Sequence, residues 1–193
     1  MPVEIEAKMS LENLIAVRAR LQECGATRHG SFHEINTFFD TEDRSLLAAD
    51  KGLRIRVNRN SETGEEDHLI TFKGPREPGP LKSREEVEMA VEGSAEAIKL
   101  FDCLGFKKVI SFEKRRESWL LDHCKVELDE LPYLGTYVEI EGPDDASVLS
   151  LREKLNLADR TMIKYGYIAL LTGYLQERGQ KVKDIRFDDA VKR

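Results

Sequence analysis

Apolar and charged residues alternate strictly at the start of the chain, Val3-Glu4-Ile5-Glu6-Ala7-Lys8-Met9. Successive side chains of a β-strand point to opposite faces, so Val3, Ile5, Ala7 and Met9 share one face and Glu4, Glu6 and Lys8 the other. The same period recurs in Leu53-Arg54-Ile55-Arg56-Val57, in Arg84–Val91 with Arg84, Glu86 and Glu88 in phase, and in Thr136–Glu141 with Glu139 and Glu141 in phase. Further strands are expected at 32–39, 69–73, 109–121 and Lys125–Leu128. Helical spacing predicts a helix capped by Ser10, carrying Leu11, Leu14, Ile15, Val17 and Leu21, and ended by Gly25. A turn or short helix is expected at Ser45–Leu47, and a helix runs from a Ser94 cap to Leu104, closed by Gly105. Two more helices are expected at 145–156 and 161–176. Asn58–Asp67 reads as a polar hairpin loop, and Arg76–Lys82, with its prolines and glycine, as an exposed loop. No internal repeat or linker divides the chain. One domain is expected over 1–176, followed by a charged tail over 177–193 that is irregular or a frayed helix.

Composition narrows the class. With 193 residues the chain can bury a substantial core, and its 40% hydrophobic and 34% charged content describe a globular protein with an unusually charged surface or interior. A formal charge of −6 argues against a general nucleic-acid or acidic-membrane binder. No apolar run approaches a membrane span, and Met1-Pro2 leads straight into a strand without a signal peptide. The odd, widely spaced Cys24, Cys103 and Cys124 suit a reducing compartment, so a cytoplasmic protein is expected.

The polar strand faces are almost purely ionic. Glu4, Glu6, Glu86, Glu88, Glu127, Asp129, Glu139 and Glu141 form an acidic set, and Lys8, Arg54, Arg56, Lys73, Arg84, Lys114 and Arg116 a basic one. They could belong to a solvated sheet face whose cross-strand ion pairs contribute about a few tenths of a kcal/mol each. Alternatively, the sheet closes with the charges inward. Burying them is then costly unless a multiply charged ligand sits among them. Clustered carboxylates suit a hard cation such as Mg²⁺ or Mn²⁺, and arginine and lysine suit phosphate oxygens. Together they describe a metal-bridged polyphosphate. There is no P-loop, dinucleotide fingerprint or metalloprotease helix, and His29, His33, His68 and His123 stand singly.

Glu4-Ile5-Glu6-Ala7-Lys8 resembles the ExExK signature of the CYTH domain, the triphosphate tunnel metalloenzymes. The resemblance continues through Asn36–Thr41, Leu53–Arg56, Thr71–Gly74, Arg84–Glu88, Phe112–Arg116, Val126–Asp129 and Val138–Glu141, covering about residues 3 to 171. It implies an α+β fold, a closed eight-stranded antiparallel β-barrel (the triphosphate tunnel) with helices packed outside, and a bound triphosphate with Mg²⁺ or Mn²⁺. By position, Glu4, Glu6 and Glu141 resemble metal ligands, with Glu139 and Asp129 nearby. Lys8, Arg54, Arg56, Lys73, Lys114 and Arg116 resemble the triphosphate grip, with Arg84 beside them. Lys73, Glu86, Glu88 and Glu127 are the catalytic candidates, the three carboxylates serving a second metal or a water. Lys164, expected to open the last helix, is a candidate phosphate contact plugging the tunnel.

Two departures narrow the substrate. Thiamine-triphosphatase-like members carry a tyrosine where this chain has Phe38, partnering the lysine at Lys73, so a Tyr–Lys dyad cannot operate here. Class IV adenylyl cyclases carry a His-Phe pair ahead of ExExK, which Met1–Val3 lack. The resemblance therefore implies metal-dependent hydrolysis of inorganic tripolyphosphate or a nucleoside triphosphate. Cyclisation of ATP is the alternative, and a non-catalytic polyphosphate- or nucleotide-binding module a third. The expected partner is a small-molecule triphosphate, with no nucleic acid, no membrane and a possible homodimer.

Overall fold

A computed structural model describes residues 3–188. Eight strands form the body: β1 (Val3–Leu11), β2 (Thr27–Asp40), β3 (Gly52–Asn60), β4 (Glu66–Glu77), β5 (Lys82–Val91), β6 (Lys107–Leu121), β7 (Cys124–Leu131) and β8 (Gly135–Gly142). They run in the order β2-β3-β4-β5-β1-β8-β7-β6, and β6 pairs back onto β2 to close an antiparallel barrel. Closure removes the free edges that a flat sheet of this size would expose. Five helices, α1 (Ile15–Glu23), α2 (Ser45–Ala48), α3 (Ser94–Cys103), α4 (Asp145–Lys154) and α5 (Tyr167–Glu177), fill the connections and the end of the chain.

The period-2 pattern then places the apolar side chains. Ala7, Met9, Val126, Leu128, Val138 and Ile140 leave the barrel outward and meet Val17 and Leu21 of α1 and Val148 and Leu151 of α4 in one buried cluster. Phe39, Leu53 and Ile55 meet Ala97 and Phe101 of α3 in a second. Ile110, Leu131 and Tyr137 meet Tyr167, Leu171 and Leu175 of α5 in a third. Each buried Leu, Ile or Phe contributes about 1.5–3 kcal/mol. The first two clusters lie outside the barrel; the third is in phase with the inward charges and closes one end of the interior against α5.

Several boundaries differ from the pattern, each for a local reason. Ser10 does not cap a helix: Ser10 and Leu11 continue the ladder opposite Tyr137 and Thr136, and α1 starts at Ile15, whose N–H donates to Asn13 Oδ1 at 3.0 Å. Ser94 is the first residue of α3, behind a Gly93 cap without a side-chain bond. The Arg76–Lys82 loop is shorter than expected: Arg76 and Glu77 still pair with Arg84 and Ser83, Lys82 opens β5, and the turn is 78–81. The last helix begins at Tyr167 rather than 161, because Ile163 N–H donates to Lys8 O at 2.8 Å and draws the preceding segment along β1. The tail is not irregular throughout. Asp184–Ile185 forms β9, parallel to Ser111–Phe112 of β6, on the stretch of edge that the shorter β7 leaves open. Residues 189–193 of the expected tail lie outside the described residues. No helix among the described residues is long and apolar enough to cross a membrane.

Candidate active site

The barrel encloses a cavity of about 1010 Å³. Glu4, Glu6 and Lys8 reach it from β1, Arg54 and Arg56 from β3, and Lys73 from β4. Arg84, Glu86 and Glu88 enter from β5, Lys114 and Arg116 from β6, Glu127 from β7, and Glu139 and Glu141 from β8. The strand alternation delivers these side chains to one space although they span more than a hundred residues of sequence.

Two expected members lie elsewhere. Asp129 faces inward in phase with Glu127 but is fully buried beneath Arg116 and does not border the cavity. Its oxygens accept a fork from Arg116 (2.7 and 2.6 Å), with Lys114 at 3.3 Å and the Tyr167 hydroxyl at 2.9 Å. It is thus a clamp on the cations and not a free ligand. Lys164 does not plug the tunnel either: it is exposed, and its Nζ donates to Gly79 O at 2.9 Å. That contact ties the segment before α5 to the β4–β5 turn.

The cations are held by carboxylates at hydrogen-bond distance. Lys8 Nζ lies 3.0 Å from Glu139 and 3.6 Å from Glu6, and donates to Tyr165 O at 3.1 Å. Burial alone would lower its pKa, but Glu139 and Glu6 outweigh that and hold the ammonium above its ordinary value. Arg56 reaches Asn36 Oδ1 at 2.9 Å and Glu34 at 3.2 Å, and Lys114 reaches Glu34 at 3.2 Å. Burial, and then the neighbouring Arg116, lowers Lys114. Lys73 bonds Glu86 and lies 3.3 Å from Glu4; burial, and then Arg54, lowers it too. Burial and the adjacent Arg56 bring Arg54 down to about 10. Its Nη2 donates to Thr71 Oγ1 at 2.9 Å, while its Nε and that of Arg84 are buried with no acceptor. Such donors are costly unless an anion completes them.

The acidic side carries the opposite imbalance. Glu6 stands directly across the ladder from Glu141, and Glu127 from Glu139. Like charges facing each other destabilise a sheet. Lys82 relieves Glu6 at 2.7 Å, and Arg116 with Lys125 relieves Glu127, whereas among the described residues Glu141 makes no ion pair. Burial, reinforced by the carboxylates of Glu4, Glu127 and Glu6, raises the Glu141 pKa. Glu86 is raised to about 7 by burial and by sharing a hydrogen bond with Glu4, which stays ionised and low because that bond, Lys73 and Lys82 overcome its own burial. Among the described residues no three His, Cys, Asp or Glu side chains form a ready-made metal cage. Chemically, the set fits a hard divalent cation: all its donors are carboxylate oxygens, and Glu141, with Lys125 across the ladder, makes no close ion pair among the described residues.

A family model for the CYTH domain matches residues 2–167. The chain belongs to the CYTH family. A candidate adenylate cyclase of Methanocaldococcus jannaschii is 26% identical over 181 residues, 87% of this chain and 98% of that protein. A Pyrococcus horikoshii protein shares the fold with a TM-score of 0.76 at 24% identity, over 89% of this chain and 99% of its own. A Hippeastrum protein, described as a candidate adenylyl cyclase with a dominant triphosphatase activity, has a TM-score of 0.66 at 17% identity, covering 94% and 98% of the two chains.

This CYTH chain also uses residues that its sequence pattern did not single out. Glu34 is 1% exposed and bridges Arg56, Lys114 and Arg116. It alternates in phase with Asn36 and Phe38, so a strand reading of 32–39 carried the signal. Lys82 is in phase with Arg84, and the prolines and glycine before it hide the start of that strand. Tyr167, whose ring lies 4.1 Å from Lys8 Nζ, had no signal at all.

Proposed function

We propose that this CYTH protein is a divalent-metal-dependent triphosphatase, hydrolysing inorganic tripolyphosphate or a nucleoside triphosphate inside its barrel. The observation that carries this reading is the convergence of Lys8, Arg54, Arg56, Lys73, Arg84, Lys114 and Arg116 with Glu4, Glu6, Glu139 and Glu141 on one cavity inside the barrel. Phosphate oxygens would accept from these cations, and a planar guanidinium matches their geometry.

Phosphoryl transfer needs positioning and charge stabilisation more than covalent help. Lys8, Arg56, Lys114 and Arg116, fixed by Glu34, Asp129 and Glu139, hold the chain of phosphates in one register. Arg54 and Arg84, which border the same cavity, complete the grip. Glu4, Glu6 and Glu141 would hold Mg²⁺ or Mn²⁺, and when bound the cation neutralises phosphate charge and polarises the attacked phosphorus. Glu86, against Lys73, is placed to orient a water and take its proton; a carboxyl near pH 7 is suited to that exchange. Lys73 stands beside it to offset the charge that develops.

A second reading is supported by the name of the methanogen relative: ribose 3′-hydroxyl attack on the α-phosphate, releasing pyrophosphate and cyclic AMP. Phosphorus NMR of tripolyphosphate and ATP, each with Mg²⁺ and with Mn²⁺, separates the two. Orthophosphate, lost in Glu6→Gln with its fold intact by circular dichroism, is the expected result. Pyrophosphate with cyclic AMP moves the assignment to cyclase. Binding without any product in either metal overturns both and leaves a binding module.

A further inference from the structure

Arg76 of β4 and Arg84 of β5 stand directly opposite each other across the ladder, and both border the cavity. Like charges in that position destabilise a sheet unless a third group relieves them. Asp50 is that group, and it comes from another element, the turn between α2 and β3. Its carboxylate accepts the Arg76 Nε–H at 3.1 and 2.9 Å and the Arg76 backbone N–H at 2.9 Å, and it lies 3.6 Å from Arg84. Its main-chain oxygen accepts from Arg84 Nη2 at 3.0 Å. Among the described residues, every hydrogen bond and ion pair of the Arg84 side chain goes to Asp50.

Asp50 also sits where the backbone favours another residue. Its N–H donates to Leu47 O at 3.1 Å and the Lys51 N–H to Leu46 O at 2.8 Å, the pair of bonds that ends a helix through a left-handed residue. Asp50 is that residue, with φ +54°, a position glycine usually fills. Stability does not explain the carboxylate, because its pair with Arg76 joins side chains that are 42% and 43% exposed, and such pairs contribute little. Nor does apolar packing fix the turn, since none of the four residues of α2 is buried. Polar contacts fix it instead: Asp40 accepts the Leu46 and Leu47 N–H groups at 3.0 and 3.1 Å, and Asp50 fastens the far end to β4. We infer that Asp50 is a positioning residue for the triphosphate grip. Its carboxylate anchors the turn to Arg76, and the anchored turn presents the Asp50 carbonyl to Arg84. Arg84 is thereby held at the cavity with its charge balanced against that of Arg76. This role rests on the proposed part of Arg84 in holding phosphate and adds what keeps that arginine in place.

Calorimetric titration with diimidotriphosphate, a non-hydrolysable tripolyphosphate analogue, in Mg²⁺ tests this alongside thermal unfolding. Asp50→Gly removes the carboxylate and suits the left-handed backbone. It is expected to keep or raise Tm while weakening the analogue about tenfold, the low end for a hydrogen bond to a charged group. Asp50→Asn tolerates the same backbone and deletes the charge, so it is expected to weaken binding too. In an Arg84→Gln background the Asp50→Gly step is expected to change affinity by less than about twofold, because the group it positions is gone. Native affinity in Asp50→Asn, or an undiminished loss in the Arg84→Gln background, overturns the role and leaves the grip standing without it. A loss of affinity accompanied by a Tm below the native value assigns Asp50 to the fold and overturns the role likewise. The expected pattern of binding, with neither tripolyphosphate nor ATP hydrolysed, refutes the hydrolytic reading and leaves Asp50 its role. Failure of the native protein to bind the analogue removes the grip and the role together.

Discussion

Glu34→Gln is the sharpest test of how the tunnel is built. Glu34 is 1% exposed, with Arg56 and Lys114 both at 3.2 Å, Arg116 at 3.6 Å and Asn36 Nδ2 donating at 3.1 Å. The amide keeps the shape and deletes the charge, leaving three buried cations facing one another across its place. Removing one partner from a buried pair costs about 3–5 kcal/mol. For a domain of this size about 1 kcal/mol moves Tm by about 2–4 °C, so the low end of that cost lowers Tm by about 6–12 °C. Despite burial, Arg56, Lys114 and Arg116 hold the Glu34 pKa well below the ordinary carboxylate value. A carboxyl lowered on folding stabilises the protein above its unfolded pKa, and that contribution fades as pH falls toward the folded value. The gap between native and Glu34→Gln is therefore widest at neutral pH and narrows below about pH 4, near the free glutamate pKa. Thermal unfolding followed by calorimetry across that range, without metal or phosphate, reads both effects. A Tm change under about 2 °C at neutral pH, or a gap that widens in acid, would refute the claim that Glu34 holds these cations apart.

Tyr167→Phe removes one buried hydrogen bond to Asp129 and should lower Tm by about 2–4 °C. Tyr167→Leu also removes the ring beneath Lys8 and should raise KM for tripolyphosphate beyond the effect of the phenylalanine variant; equal KM values would show that the ring does not position Lys8. Ile185 is fully buried in the cluster under α5, so Ile185→Ala should cost about 2 kcal/mol or more and lower Tm by about 4–8 °C. It should also speed proteolysis within 177–188, and unchanged cleavage would mean that β9 does not pin the tail.

The barrel was legible because its two faces obey one rule. Alternation in Val3–Met9, Leu53–Val57, Arg84–Val91 and Thr136–Glu141 assigns every side chain to a face once the strand is recognised. What that rule cannot convey is where a strand ends. Lys82 fell outside because prolines and a glycine precede it, yet ladder pairing with Glu6 carries the strand through it. Ser10 has a capping side chain, but its backbone groups are taken by the ladder with β8, and tertiary pairing overrides the cap. Asp129 shows a second limit. It carries the charge and the alternation of a tunnel residue, and whether it faces the cavity or lies behind Arg116 depends on depth along the barrel. Tyr167 depends on a contact between the chain's last helix and its first strand, which local pattern does not encode.

The same arithmetic explains why a barrel with so ionic an interior folds. A buried ion pair contributes little net stability, since the loss of water offsets the attraction. The free energy must come from elsewhere, and three apolar clusters supply it: α1 and α4 against one outer side, α3 against another, and α5 with β9 against the apolar end of the interior. The interior is then constrained by balance rather than by burial. Each inward cation needs a carboxylate while the tunnel is empty, and those carboxylates are the groups suited to a divalent cation when it fills. Glu6 shows the exchange most directly, held by Lys82 at 2.7 Å and facing Glu141 across the ladder. A metal bound there with a polyphosphate would replace internal pairs with ligand pairs.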